Sequence, residues 1–445
     1  TVPDFRESKK FGMTSLACDK KRVDADRLLD VIRSHGYTIT DDISEANILI
    51  VNTCAFLNES RKEAIDTVLE CDGYRGGALE KIVVSGCLPE KYIEEVFPSL
   101  TEGDVFLGCN DASALLEAIE RSYREGRVNF VGCGNEHAEG RVLTTPGHYA
   151  YLKIADGCNN FCTYCLIPKI RGRYRSYPIE ALVKEAETLG EISELILVAQ
   201  DVTRYGIDLY GEKSLVRLIR ALSALENIGS VRLLYCYPDV IDDALIAEMR
   251  DNEKVIKYID IPLQHSEDRV LKLMNRKGTR AEYLALIEKL RKSIPGIAIR
   301  STFIAGFPTE TEEEYTGLAR FLEEAQLTNC GFFAYSREPD TPAYKLKGQI
   351  PERIKRRRVQ GLYAVQEKIS AARLKNYIGK TVRVLCDGID YENGRFEGRA
   401  YFSAPDIDGK VYFNAPEASQ GEYYGVLITD SDSYDLFGRT EDYRE

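Results

Sequence analysis

"YLKIADGCNNFCTYCLIP" occupies residues 151–168. Its first seven residues read as a short buried strand, and Cys158, Cys162 and Cys165 follow within eight residues. A strand that runs straight into three thiols reads as the first of a β/α series, because chemistry in such folds collects in the loops after the strands. The chain downstream keeps that rhythm. "ELILVAQD" (194–201), "VRLLYCYP" (231–238), "KYIDIPLQ" (257–264), "IAIRSTFIAGFP" (297–308) and "GFFAYSR" (331–337) are further strand-like runs. Helical patterns follow the first five strands at 178–189, 213–226, 241–250, 280–293 and 311–326, and a longer one covers 351–375. Six units in series predict a parallel sheet with helices outside, a (β/α)6 barrel left partly open.

The flanking segments differ in pattern. In residues 1–143, "NILIVNT" (47–53) and "KIVVSG" (81–86) read as buried parallel strands, "FGMTSLA" as a first strand, and 59–70 and 111–125 as amphipathic helices. This predicts an open parallel α/β domain. The Gly-rich "VGCGNEHAEGR" (131–141) and Pro146 mark its end. Residues 144–375 form the central unit. Residues 376–445 are β-rich with Gly and Asp turns, which predicts a small antiparallel β-barrel. The fold class is α/β with three domains.

Composition narrows the function. The 445 residues include 12 cysteines and carry a net charge of −12. That field opposes nucleic acid and suits a basic protein partner. No apolar run reaches membrane-spanning length, and the polar start lacks a signal-peptide core, so a reducing cytoplasm and no membrane contact are expected. Cysteines there serve metals more often than disulfides. No P-loop or G-x-G-x-x-G is present, and none of the four histidines lies in an H-E-x-x-H setting.

The C-x3-C-x2-C spacing suits an iron–sulfur cluster, since iron takes thiolate ligands. A zinc site would need a fourth ligand, and His148, the nearest candidate, lies across the strand. Upstream, Cys54 and Cys87 each follow a strand directly and Cys18 follows "FGMTSLA". Strand ends in an open parallel sheet converge on one crevice, so the three thiols could meet; three unrelated core cysteines would also explain them. Cys71, Cys109, Cys133, Cys236, Cys330 and Cys386 read as core or loop residues.

Taken together, "VNTC", "SGCLPE", the 36- and 33-residue spacings and the downstream triplet resemble the methylthiotransferase family of radical S-adenosylmethionine (SAM) enzymes. The resemblance covers nearly the whole chain; "SLAC" departs from it, with Ala where Gly usually precedes the first Cys. It implies two [4Fe–4S] clusters, one on Cys18, Cys54 and Cys87 and one on Cys158, Cys162 and Cys165, with SAM on the open iron of the second. It also implies that Tyr164 lies by the adenine and that the C-terminal barrel is a TRAM domain. "VAQDVTRYG" brings Gln200 and Asp201 to the reaction mouth, Gln200 for SAM and Asp201 for catalysis, though Asp201 could equally cap a helix. Gln264 ends the fourth strand. "RSTFIAGFP" resembles the strand beside SAM and supplies Arg300, Phe303 and Ile304; Arg300 would pair with the SAM carboxylate, or else form a surface ion pair. "RIKRRR" (353–358) reads first as a solvated basic helix face, and either it or "RGRYRS" (171–176) could touch RNA on a ribosome.

Within the family, "AQDVTRYG", "LLYCYP" and "PLQHSED" resemble the branch that thiomethylates the β-carbon of an aspartate in small-subunit ribosomal protein twelve, free or within the subunit. The other branch modifies tRNA adenosine. Residues 376–445 carry seven Lys/Arg against fourteen Asp/Glu. Phosphate binding demands cations, so tRNA is not the expected substrate. The resemblance further implies a low-potential electron donor such as flavodoxin or ferredoxin, and a sulfur donor. The alternatives are a tRNA methylthiotransferase and a non-catalytic iron–sulfur scaffold or electron carrier.

Overall fold

The computed structural model describes residues 9–16, 19–135 and 140–443; Cys18 lies outside the described residues. The chain opens with a six-stranded parallel sheet. Its strands are β1 (Lys10–Ser15), β2 (Thr38–Ile39), β3 (Ile48–Thr53), β4 (Lys81–Gly86), β5 (Val105–Leu107) and β6 (Val128–Asn129), in the order β2-β1-β3-β4-β5-β6. Strand β3 is buried throughout and β4 nearly so, which explains their continuous apolar runs. They pair with Thr53 opposite Gly86, so Cys54 and Cys87 leave the sheet side by side. Gly86 has φ 104°, and a Cβ there would stand 2.7 Å from the Thr53 carbonyl oxygen; only glycine fits.

The second sheet runs β7 (Tyr149–Lys153), β10 (Glu194–Val198), β11 (Val231–Leu233), β12 (Val255–Asp260), β13 (Ala298–Ala305) and β14 (Asn329–Ala334), all parallel and in chain order. Between β7 and β10, a short antiparallel ribbon of β8 (Ala155–Asp156) and β9 (Arg175–Ser176) clasps both ends of the cysteine loop. The expected helices lie at 179–187, 215–223, 243–251, 280–293, 312–325 and 352–374. Their starts follow local chemistry: Asp242 and Thr279 cap two of them, and Thr311 with Glu314 forms a capping box. β11 is shorter than its sequence suggests. The apolar run continues, but Tyr235 turns to φ 59° and the chain leaves the ladder.

Strands β15 (Thr381–Asp390), β16 (Arg395–Ala400), β17 (Val411–Asn414), β18 (Tyr423–Ser431) and β19 (Leu436–Thr440) close the C-terminal barrel. It is not purely antiparallel as expected, because β17 and β19 pair in parallel. Among the described residues no helix is long and apolar enough to cross a membrane.

Alternation along the central strands separates two cores. Ala150, Leu152, Leu195, Leu197, Ile259 and Ile299 pack outward on the helices. Tyr149, Tyr151, Ile196, Val198, Tyr258 and Ala298 face inward, into one cluster with Val384, Phe402, Val411 and Val426 of the C-terminal barrel. Buried ion pairs stitch this junction. Glu194 binds Arg232 and, at 2.8 Å, Arg399. Asp387 binds Arg399 and His148, each at 2.8 Å. His148 is thus committed at the entry of β7, opposite the cysteines, and supplies no fourth ligand to them. The basic helix face is likewise only half solvated: Lys355 donates to the Tyr335 carbonyl and Arg358 to Glu310, and both are buried.

Burial alone would raise the Glu194 carboxyl, but Arg232 and Arg399 outweigh it and hold it down to about 2. Its stabilising share is present above the ordinary carboxylate range near 4.3 and is lost as pH falls through about 2. Glu194→Gln in the cluster-free protein should cost about 3–5 kcal/mol at pH 7 and flatten the acid limb between those pH values. Urea midpoints measured against pH check this; parallel curves for the two proteins would refute it.

Candidate functional site

The loop between β8 and β9 is held from all sides. Gly157 enters it at φ 75°, with a Cβ position blocked by the Arg173 carbonyl. Cys158 N–H donates to the Gly172 carbonyl. Asn160 Nδ2 donates to Asp201 at 2.9 Å, and Asn275 Nδ2 donates to the carbonyls of Asn160 and Phe161 at 3.1 and 3.0 Å. Each of the three sulfurs has a hydrogen-bonding neighbour. Cys158 Sγ accepts from Asn160 N–H at 3.5 Å, and Cys165 Sγ from Ile167 N–H at 3.4 Å. Cys162 Sγ lies 2.8 Å from the Tyr237 hydroxyl and 3.8 Å from Arg276 Nη1.

That donor set fits thiolates that carry charge on a cluster, since hydrogen bonds to sulfur are how proteins settle such ligands. Burial pushes the Cys158 thiol up to about 11, and raises Cys165 through burial first and then through Cys162. Metal binding must therefore displace protons here. Among the described residues no three Cys, His, Asp or Glu side chains converge on a single ion. A cubane asks something else, one thiolate for each of several irons.

The other expected residues fall into two groups. Tyr164 and Ile304 meet in one apolar cluster with Val270, Met274, Phe307 and Tyr335, beside the loop. Gln200 Nε2 donates to Asp156 at 3.1 Å, while its Oε1 is buried without a partner among the described residues. Gln264, at φ 73°, bridges to β13. Asp201 is fully buried and accepts from Thr203 N–H, Thr203 Oγ1 and Asn160, with Arg204 at 3.0 Å. Two residues are placed elsewhere. Phe303 points outward, stacked on Phe332 at 5.9 Å in the helix-side core, because the pleat turns it away from Ile304. Arg300 lies between Asp260 at 3.0 Å and Asp408 of the C-terminal barrel at 3.2 Å.

Cys87 is buried and Cys54 half-buried at the neighbouring strand ends. A network not foreseen in the sequence joins this second cysteine site to the first. Asp24 binds Lys153 at 2.7 Å and Arg171 at 2.7 Å, with Lys21 at 3.8 Å. Asp156 binds Arg171 at 2.9 Å and Lys153 at 3.5 Å. All five are buried. Arg171 also reaches to 4.0 Å from Cys87 Sγ. A hydrogen bond from Cys109, then Lys21 and Arg171, hold the Cys87 thiol well below its usual range despite burial. Lys21, Lys153 and Arg171 face Asp24 and Asp156 here, and Lys21 and Arg171 also act on the Cys87 thiol. Lys153 carried a signal, a charge inside an apolar strand. Cys109 carried another: like Cys54 and Cys87 it follows a strand end, that of β5. Arg171 was hidden in a basic run.

Residues 10–108 match the Uncharacterized protein family UPF0004, residues 152–322 the Radical SAM superfamily, and residues 378–440 the TRAM domain. The chain is 42% identical to the ribosomal protein uS12 methylthiotransferase RimO of Lachnoclostridium phytofermentans, covering 97% of this chain and 100% of that one. It is 45% identical to the protein of that name from Clostridium botulinum, covering 97% and 98%. Among solved structures, the radical SAM methyltransferase TsrM of Kitasatospora setae, with cobalamin and a [4Fe–4S] cluster bound, matches with a TM-score of 0.56 at 15% identity, over 76% of this chain and 77% of that one.

Asp24→Asn removes the carboxylate that Lys153, Arg171 and Lys21 share. The cluster-free protein should lose about 3–5 kcal/mol, read from denaturant unfolding. An unchanged midpoint would show that the network does not tie the two units together.

Proposed function

Since the chain belongs to the RimO family of ribosomal protein uS12 methylthiotransferases within the radical SAM superfamily, we propose that it adds a methylthio group to the β-carbon of an aspartate in uS12, using two SAM-dependent steps and two [4Fe–4S] clusters. The observation that carries this reading is the pair of cysteine sites at two sheet ends, joined by one buried ion network. In this reading Cys158, Cys162 and Cys165 hold one cluster, and Cys18, Cys54 and Cys87 the other. When bound, these groups supply an electron that splits SAM, a radical able to take hydrogen from an unactivated carbon, and a held sulfur to replace it.

The chain's own residues do the rest. Asn160, Asn275 and the β8/β9 clasp fix the loop, so the thiols are oriented before they are loaded. Tyr164 and Ile304 offer an apolar wall for the adenosyl group, and Gln200 Oε1 a free acceptor for a polar edge of SAM. Asp201 acts through Asn160 as a positioning residue, because its carboxylate is already occupied. Phe303 and Arg300 drop out of the SAM contacts proposed here. The three units divide the work as residues 1–143 for sulfur, 144–375 for the radical and 376–445 for docking.

Charge supports uS12 over tRNA. Some acidic groups of the C-terminal barrel are internal: Asp387 binds Arg399 and the His148 ring, and Asp408 binds Arg300. Asp430, Asp432 and Tyr434 remain exposed and suit a basic protein rather than phosphates. A flavodoxin- or ferredoxin-type donor and a sulfur donor complete the partners, in the cytoplasm.

Cys162→Ala should abolish 5′-deoxyadenosine formation. Cys54→Ala should keep it but abolish methylthio transfer. Anaerobic assays of the reconstituted enzyme on uS12 and on tRNA, read by mass spectrometry, test both. Full modification by Cys54→Ala would end the two-cluster reading, and methylthio-adenosine without modified uS12 would reverse the substrate assignment.

A further inference from the structure

The N-terminal site contains one thiol beyond the three proposed ligands. Cys109 Sγ donates to Cys87 Sγ at 3.8 Å, and its loop is fixed where Cys109 N–H donates to Glu90 at 2.8 Å. Lys21 Nζ lies 3.7 Å from Cys109 Sγ and 3.4 Å from Asn52 Oδ1, on a side chain only 1% exposed. A lysine so deeply buried beside two thiols is held for its charge, since placing it there costs solvation that an apolar residue would not lose.

Hydrogen bonds to ligand sulfur and nearby positive charge both favour the cluster form that carries an extra electron, and they act strongly in a dry site. We propose that Cys109 and Lys21 are positioning residues that raise the reduction potential of a cluster held by Cys18, Cys54 and Cys87. The proposal rests on the two-cluster reading. Its direction suits the reaction by electron count. When a carbon radical captures a methylthiolate sulfur, the C–S bond takes one electron from carbon and one from sulfur. The thiolate's remaining electron must be accepted where the sulfur was held.

The test uses full-length protein carrying Cys158→Ala, Cys162→Ala and Cys165→Ala, reconstituted with iron and sulfide so that only the N-terminal cluster forms. Redox titration followed by electron paramagnetic resonance reads its midpoint. Adding Cys109→Ala should move the midpoint to more negative potential, and Cys109→Ser, which keeps an O–H donor, should restore most of the shift. Lys21→Met should independently move it the same way. An unchanged midpoint in either variant overturns the assignment for that residue. Loss of the cluster's iron in Cys109→Ala would make Cys109 a ligand and overturn its role as donor. A parent protein that assembles no cluster would instead refute the two-cluster reading itself.

Discussion

The salt-linked group of Asp24, Lys153, Asp156, Arg171 and Lys21 is the constraint on which the active arrangement depends. It joins a helix of the first unit, a strand of the second and both ends of the cysteine loop. Burying five charges is costly, and an apolar junction of equal volume would hold the units together as well or better. What the ionic version adds is geometry. Each carboxylate accepts from two cations at fixed angles, so the two cysteine sites cannot slide relative to one another as greased surfaces can.

Much of this was legible in the sequence, and for identifiable reasons. The six central strands, their helices and the cysteine loop are local patterns of period and spacing, and they lie where the periods put them. Cys54 and Cys87 were readable as strand-end residues. Phe303 and Arg300 were not readable as outsiders. Which face of a strand a residue takes depends on register against its neighbours, and Arg300 depends on Asp408, 108 residues away. The ion network was illegible because its members are scattered between residues 21 and 171. Apart from Lys153, set inside an apolar strand, each one alone looks like an ordinary surface charge.

The C-terminal barrel is a structural floor as well as the docking surface proposed for it. Its apolar residues share a core with the inward face of the central strands, and its acidic residues neutralise cations rooted there. It packs against the entry halves of those strands, and the cysteine loop follows the exit end of the first of them. Removing it would expose Tyr149, Tyr258 and Arg300 at once, a failure of folding rather than of recognition.

The pairing of Thr53 with Gly86 has one more consequence. Thirty-one residues and a whole helix lie between Cys54 and Gly86, yet their relative placement is set by the six-pair register of β3 on β4. The chain can lengthen or shorten between those strands without moving either thiol, whereas a slip of one rung would carry the sulfurs apart and turn one of them into the sheet. The measure of this site is therefore the ladder, and the sequence interval is only its shadow.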